Sequence, residues 1–174
     1  MAGFNFEPTS GENGKFRIGR KPSVFINGAE FTLTAVVTGI WRNDAGDPIN
    51  KDDSNSIRFK TSLSDDLDDS ININKLLNRR RIVYDADGHA SILYDFEGHN
   101  DLLNFLEKEI GRDEKNAVLL NGTAKSVGEK VLDFYKGKTF VVKEVECFFK
   151  TIKDGVEKLE LPISPVCVIS IKNS

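Results

Sequence analysis

The chain has 174 residues, with 24 Lys and Arg against 27 Asp and Glu, a formal charge of −3, 39% apolar and 29% charged residues. Those proportions fit one ordinary globular domain, long enough to bury a core without metals or disulfides. The near balance of charge argues against a duplex-DNA binder that relies on overall basicity, while leaving room for a local basic groove. Cys147 and Cys167 are too few for a disulfide scaffold, and both fall in apolar strand patterns where a free thiol acts as a small hydrophobe. The start Met1-Ala2-Gly3-Phe4-Asn5 lacks a secretory leader pattern, and no apolar run approaches the ~20 residues of a membrane span. These features predict a cytoplasmic protein with no membrane partner.

Residues 1–22 are poor in aliphatic side chains but hold Phe4, Phe6 and Phe16, which predicts an irregular N-terminal arm that docks its rings. Residues 23–174 are predicted to form a single β-rich domain. Ser23 to Ile26 reads as a short strand before the Asn27-Gly28 turn. Phe31, Leu33, Ala35, Val37 and Trp41 then share one face of a strand, opposite Thr32, Thr34, Thr38 and Arg42. Residues 43–56 read as a long polar loop. Ile57, Phe59, Thr61 and Leu63 alternate with Arg58, Lys60 and Ser62, the pattern of a half-buried strand. Ile71 to Leu77 reads as a helical turn or a crossing segment.

Arg81 to Tyr84 and Ala90 to Phe96 flank Asp85-Ala86-Asp87-Gly88 and predict a hairpin. A helix follows, capped by Asn100, with Leu102, Leu103, Leu106 and Ile110 as its stripe and Gly111 as its stop. Ala117 to Leu120 reads as a short strand. Ser126 to Tyr135 reads as a second amphipathic helix, with Val127, Val131, Phe134 and Tyr135 on one side. Residues 139–153 and Val156 to Leu161 flank Asp154-Gly155, a strong hairpin signal, and Val166 to Ile171 closes the domain. The predicted class is α+β, predominantly antiparallel, as a curved sheet or small barrel compatible with an oligonucleotide-binding fold, carrying two short helices.

The sequence carries few signatures of catalytic or metal chemistry. His89 and His99 are the only histidines, both beside turns and without a visible nucleophile. Two Cys and two His lack any zinc spacing. Asp44, Asp47, Asp52 and Asp53 form one acidic stretch and Asp65, Asp66, Asp68 and Asp69 another, both read as solvated loops. Gly11-Glu12-Asn13-Gly14-Lys15 lacks the spacing of a phosphate loop. The expectation is therefore no enzyme, no cofactor and no metal.

Basic and aromatic residues remain. Arg17, Arg20 and Lys21 precede the first strand, Arg58 and Lys60 share a strand face, and Lys136, Lys138 and Lys153 lie towards the C-terminus. Single-strand binders combine cations that track phosphates with rings that stack bases. On that logic the candidate nucleic-acid-binding residues are Arg79, Arg80, Arg81, Trp41, Arg42, Tyr84, Lys143, Phe149 and Lys150. The expected function is low-specificity binding of single-stranded nucleic acid. The competing expectation is an assembly protein, a component of a virion or complex. It would contact itself or another protein through its N-terminal arm and sheet edges, and a viral or mobile-element origin is compatible with either reading.

Overall fold

The computed structural model describes residues 5–8, 23–43, 45–47, 57–77, 80–111 and 124–172. Period-two stretches become strands and the two amphipathic stripes become helices, as their patterns require. The strands are β1 (Asn5–Pro8), β2 (Glu30–Phe31), β3 (Leu33–Arg42), β4 (Ile57–Thr61), β5 (Ile71–Asn72), β6 (Arg80–Tyr84), β7 (Ala90–Tyr94), β8 (Phe140–Val145), β9 (Phe149–Lys153), β10 (Val156–Glu160) and β11 (Val166–Ile171). The helices are α1 (Ile73–Leu77), α2 (His99–Glu109) and α3 (Ala124–Phe134). The fold is α+β and mostly antiparallel. Its described strands form open sheets ordered β1-β3-β4-β5, β11-β8-β2, β6-β7 and β10-β9, with no closed barrel among them.

The first two sheets and the helices enclose the core. Phe31 and Phe140 sit opposite each other in the β2–β8 pairing and stack with centroids 5.5 Å apart. Tyr135 meets Phe140 edge-on at 5.1 Å and Phe96 edge-on at 5.8 Å, while Phe96 lies tilted against Phe140 at 5.7 Å. Leu102 and Leu106 of α2 and Val127 and Val131 of α3 are buried in the same cluster. Helix α3 crosses β3 and β4 at Gly128, where a Cβ would collide with Val36 and press on Ile57, so only glycine lets the backbones approach this closely.

Several local expectations change. Ser23–Phe25 is a 3-10 turn rather than a strand. Val37 is fully buried, but Leu33 and Ala35 are only half-buried, because a register irregularity between them interrupts the alternation. Every residue of β4 is buried, Arg58 and Lys60 included, since both faces of this inner strand are covered. Asp68 and Asp69 are buried in the Leu67–Asp69 turn, not solvated. Helix α2 starts one residue before Asn100, after Gly98, without a side-chain cap. The run 139–153 is two strands in different sheets, broken at residues 146–148. Within the predicted arm, Asn5–Pro8 pairs with Gly39 to Arg42 as an edge strand. The rest of the arm, most of the 43–56 loop and the Ala117 to Leu120 stretch lie outside the described residues. No helix among the described residues is long and apolar enough to cross a membrane.

Candidate nucleic-acid interface

Two hairpins form a separate layer beside the core. In one, the Asp154-Gly155 turn joins β9 to β10, with φ of 53° and 77°, a left-handed pair that suits the twist of a tight hairpin. In the other, β6 and β7 are joined by a turn in which Asp85 Oδ1 accepts the backbone N–H of both Asp87 and His89 at 2.9 Å. The backbones of Tyr84 and Phe148 exchange two hydrogen bonds of 2.9 Å, which connects the hairpins in the order β7-β6-β9-β10. A parallel bridge from Phe96 to Ile169 and a buried carboxylate at Asp95 fasten the layer to the core.

Period two and the pairing register assign the faces. The inner face holds Val83, Leu93 and Phe149, packed with Cys147 and Val166 in a small second core. The outer face carries Arg80, Ile82 and Tyr84 on β6, opposite Tyr94, Ile92 and Ala90 on β7. It continues through Phe148, Lys150 and Ile152 to Leu159 and Glu157. Ile82, Ile92 and Ile152 are 59%, 57% and 74% exposed, an aliphatic surface that a solvated sheet face ordinarily lacks. Lys150 Nζ lies 4.8 Å over the ring of Tyr84 and 3.5 Å from Glu157 Oε2. At one end of the face Tyr94 stacks on His99 with centroids 3.9 Å apart.

The structure places Arg80, Tyr84 and Lys150 on one face and separates the other described candidates from it. Arg81 turns inward, with its guanidinium 3.2 Å from both oxygens of Asp95, whose second cation is Lys75 at 3.3 Å. Phe149 belongs to the inner face. Lys143 is exposed on β8 in another sheet, opposite Val168. Arg42 ends β3 and donates to the Gly46 carbonyl at 2.9 Å. The backbone of Trp41 pairs with Phe6, away from the hairpin layer's strands. Arg79 and the side chain of Trp41 lie outside the described residues. Arg58 gives its guanidinium to Ser70, at 2.6 Å to Oγ and 2.8 Å to the carbonyl, and burial lowers its pKa to about 10 against the opposing pull of Asp68. It faces no ligand.

The cysteines are separate and buried, and burial pushes the Cys147 thiol up despite nearby Arg81. Asp85, Asp87 and His89 place ligand-type atoms within 4.8 Å of one another, all exposed. Asp85 is held below the usual carboxylate range chiefly by the His89 backbone N–H, so its charge serves the turn. The exposed isoleucines were missed in sequence. A register centred on Asp87 places Ile82 against Ile92 and was legible there; that Ile82 and Ile92 are exposed needed the tertiary structure. Comparison with protein-family models, with curated proteins and with solved structures finds no match for this chain.

Proposed function

We propose that this is a non-catalytic, cytoplasmic binding protein that holds single-stranded nucleic acid, with little sequence preference, on the outer face of the hairpin layer. The observation that carries this reading is the Lys150 ammonium poised 4.8 Å over the Tyr84 ring on an exposed face that also bears Arg80. A base stacking on Tyr84 replaces the ammonium, which is released towards a phosphate, and Arg80 takes a second phosphate. Ile82, Ile92 and Ile152 supply apolar surface against further bases and sugars. The contacts use base π-faces and backbone charge, which every sequence provides.

A fluorescent oligonucleotide of about 25 bases, long enough to cover several contacts, is titrated at two salt concentrations. Arg80→Ala is expected to reduce both affinity and salt slope, the slope by roughly 0.7 for one single-strand phosphate contact. Tyr84→Ala removes a stacking platform worth ~1–3 kcal/mol and leaves the slope nearly unchanged. Glu157→Gln frees Lys150 and raises affinity. Absence of salt-dependent binding at micromolar protein sinks the proposal.

A second reading is favoured by the aliphatic character of the same face. Three exposed isoleucines beside few free cations suit a protein surface in an assembly as well as they suit nucleobases. Under that reading Ile82→Lys abolishes the association, and oligonucleotides do not compete for it.

A further inference from the structure

We propose that the outer edge of β10 pairs with the same edge of a second copy of this chain, antiparallel and centred on Leu159. Among the described strands, β10 pairs only with β9. The Tyr84–Phe148 exchange fixes which backbone groups are free. It turns the N–H and C=O of Phe148, Lys150 and Ile152 towards β6, and those of Phe149, Thr151 and Lys153 towards β10. The partners Glu160, Lys158 and Val156 spend theirs on β9. Glu157 and Leu159 therefore direct their backbone groups outward, and the same period continues to Leu161.

Charge selects the register. A two-fold axis normal to the sheet keeps the two outer faces on one side and opposes one residue to itself. Centred on Leu159, it sets Lys158 against Glu160 of the second copy, and Glu160 against its Lys158. Centring on Glu157, Lys158 or Glu160 opposes a charge to its own kind, which is unfavourable directly across a strand pair. Lys158 and Glu160 are exposed, and across β9 they face only Thr151 and Phe149. Neither has an ion-pair partner among the described residues. A dimer supplies both. The same pairing brings Leu161, 62% exposed, against the stem of Glu157 of the second copy. Charges on an edge strand usually discourage pairing. Here their order is reciprocal about Leu159, so this two-fold register pairs each charge with its opposite.

This pairing is independent of what the outer face binds, so mass and oligonucleotide affinity are measured separately. Sedimentation velocity of the full chain at rising concentration is expected to show a monomer–dimer equilibrium. Lys158→Glu and Glu160→Lys each oppose like charges twice and weaken the dimer about ten-fold or more. Lys158→Glu with Glu160→Lys restores the pairing with its polarity reversed, so a loss from misfolding is distinguished by the failure of rescue. The proposal is overturned by a chain monomeric at ~100 μM, since an edge pairing weaker than that has no specific worth. It is overturned equally by single reversals that leave the dimer intact, or by a dimer lost only on Ile92→Lys, which places the contact on the uncharged edge of β7 instead.

Discussion

Replacing Asp95 with Asn separates the structural arginine of the hairpin layer from the exposed one. Asp95 has no exposure, and its carboxylate holds Lys75 at 3.3 Å and Arg81 at 3.2 Å. The Asn variant keeps the shape and removes the charge. Lys75, 16% exposed at its side chain, is then left with its cation largely out of water. Removing one partner of a fully buried pair costs about 3–5 kcal/mol. Arg81 is 32% exposed and recovers part of its hydration, which brings the expectation down to ~2–4 kcal/mol. Urea denaturation followed by far-UV dichroism reads this as a lowered midpoint with an unchanged slope. The pH dependence carries a sign. Burial already lowers the pKa of Lys75 from 10.5, with Asp95 opposing it, and loss of Asp95 lowers it further. In the interval between the folded pKa and 10.5 the unfolded chain binds the extra proton, so stability rises with pH there. The penalty of Asp95→Asn is therefore fully present below the variant's folded pKa for Lys75 and shrinks between that pKa and the higher wild-type one. A loss under half a kcal/mol, or one that grows with pH across that interval, refutes the account of a buried charge triad.

Three further outcomes follow from the packing. Gly128→Ala gains about 1 kcal/mol of helix propensity but drives a methyl into Val36, where overpacking costs ~1–3 kcal/mol; thermal denaturation should show a net loss, relieved when Val36→Ala is added. Leu106→Ala opens a cavity in the main core and lowers stability by ~2–5 kcal/mol, measured by the same urea titration. Cys147, buried and with its thiol pushed up, is expected to resist a thiol reagent at neutral pH until denaturant is added; fast labelling of the native protein contradicts its burial.

Local pattern made much of the fold legible. Asp154-Gly155 with alternating flanks specified its hairpin, and the stripes of α2 and α3 specified which side chains enter the core. The class, α+β and mainly antiparallel, followed from the same signals. What failed were judgements of exposure. Arg58 and Lys60 alternate with apolar residues just as solvent-facing cations do, yet β4 lies between β3 and β5 with both faces covered. A charge in an inner strand looks like one on an edge until its neighbours are placed. Arg81 was indistinguishable from Arg80 in a basic run, because its partner Asp95 arrives 14 residues later, across a hairpin. Of the candidate site, Arg80, Tyr84 and Lys150 share a face, an arrangement that needed the single bridge between Tyr84 and Phe148.

The break at residues 146–148 divides one continuous stretch of chain between two environments. On one side Phe140 and Val142 are anchored in the large core. On the other, Phe149 rests on a cluster whose buried members among the described residues are Val83, Cys147 and Val166. So small a cluster gives the hairpin layer a lower local opening energy than the body that carries it. Amide hydrogens of β6, β7, β9 and β10 are accordingly expected to exchange through a sub-global opening in which the two hairpins come away as a unit, while those of β8 and β11 wait for global unfolding. Any ligand held across the Tyr84–Phe148 junction closes that opening, and the gain in protection appears in the hairpins without reaching the strands of the main core.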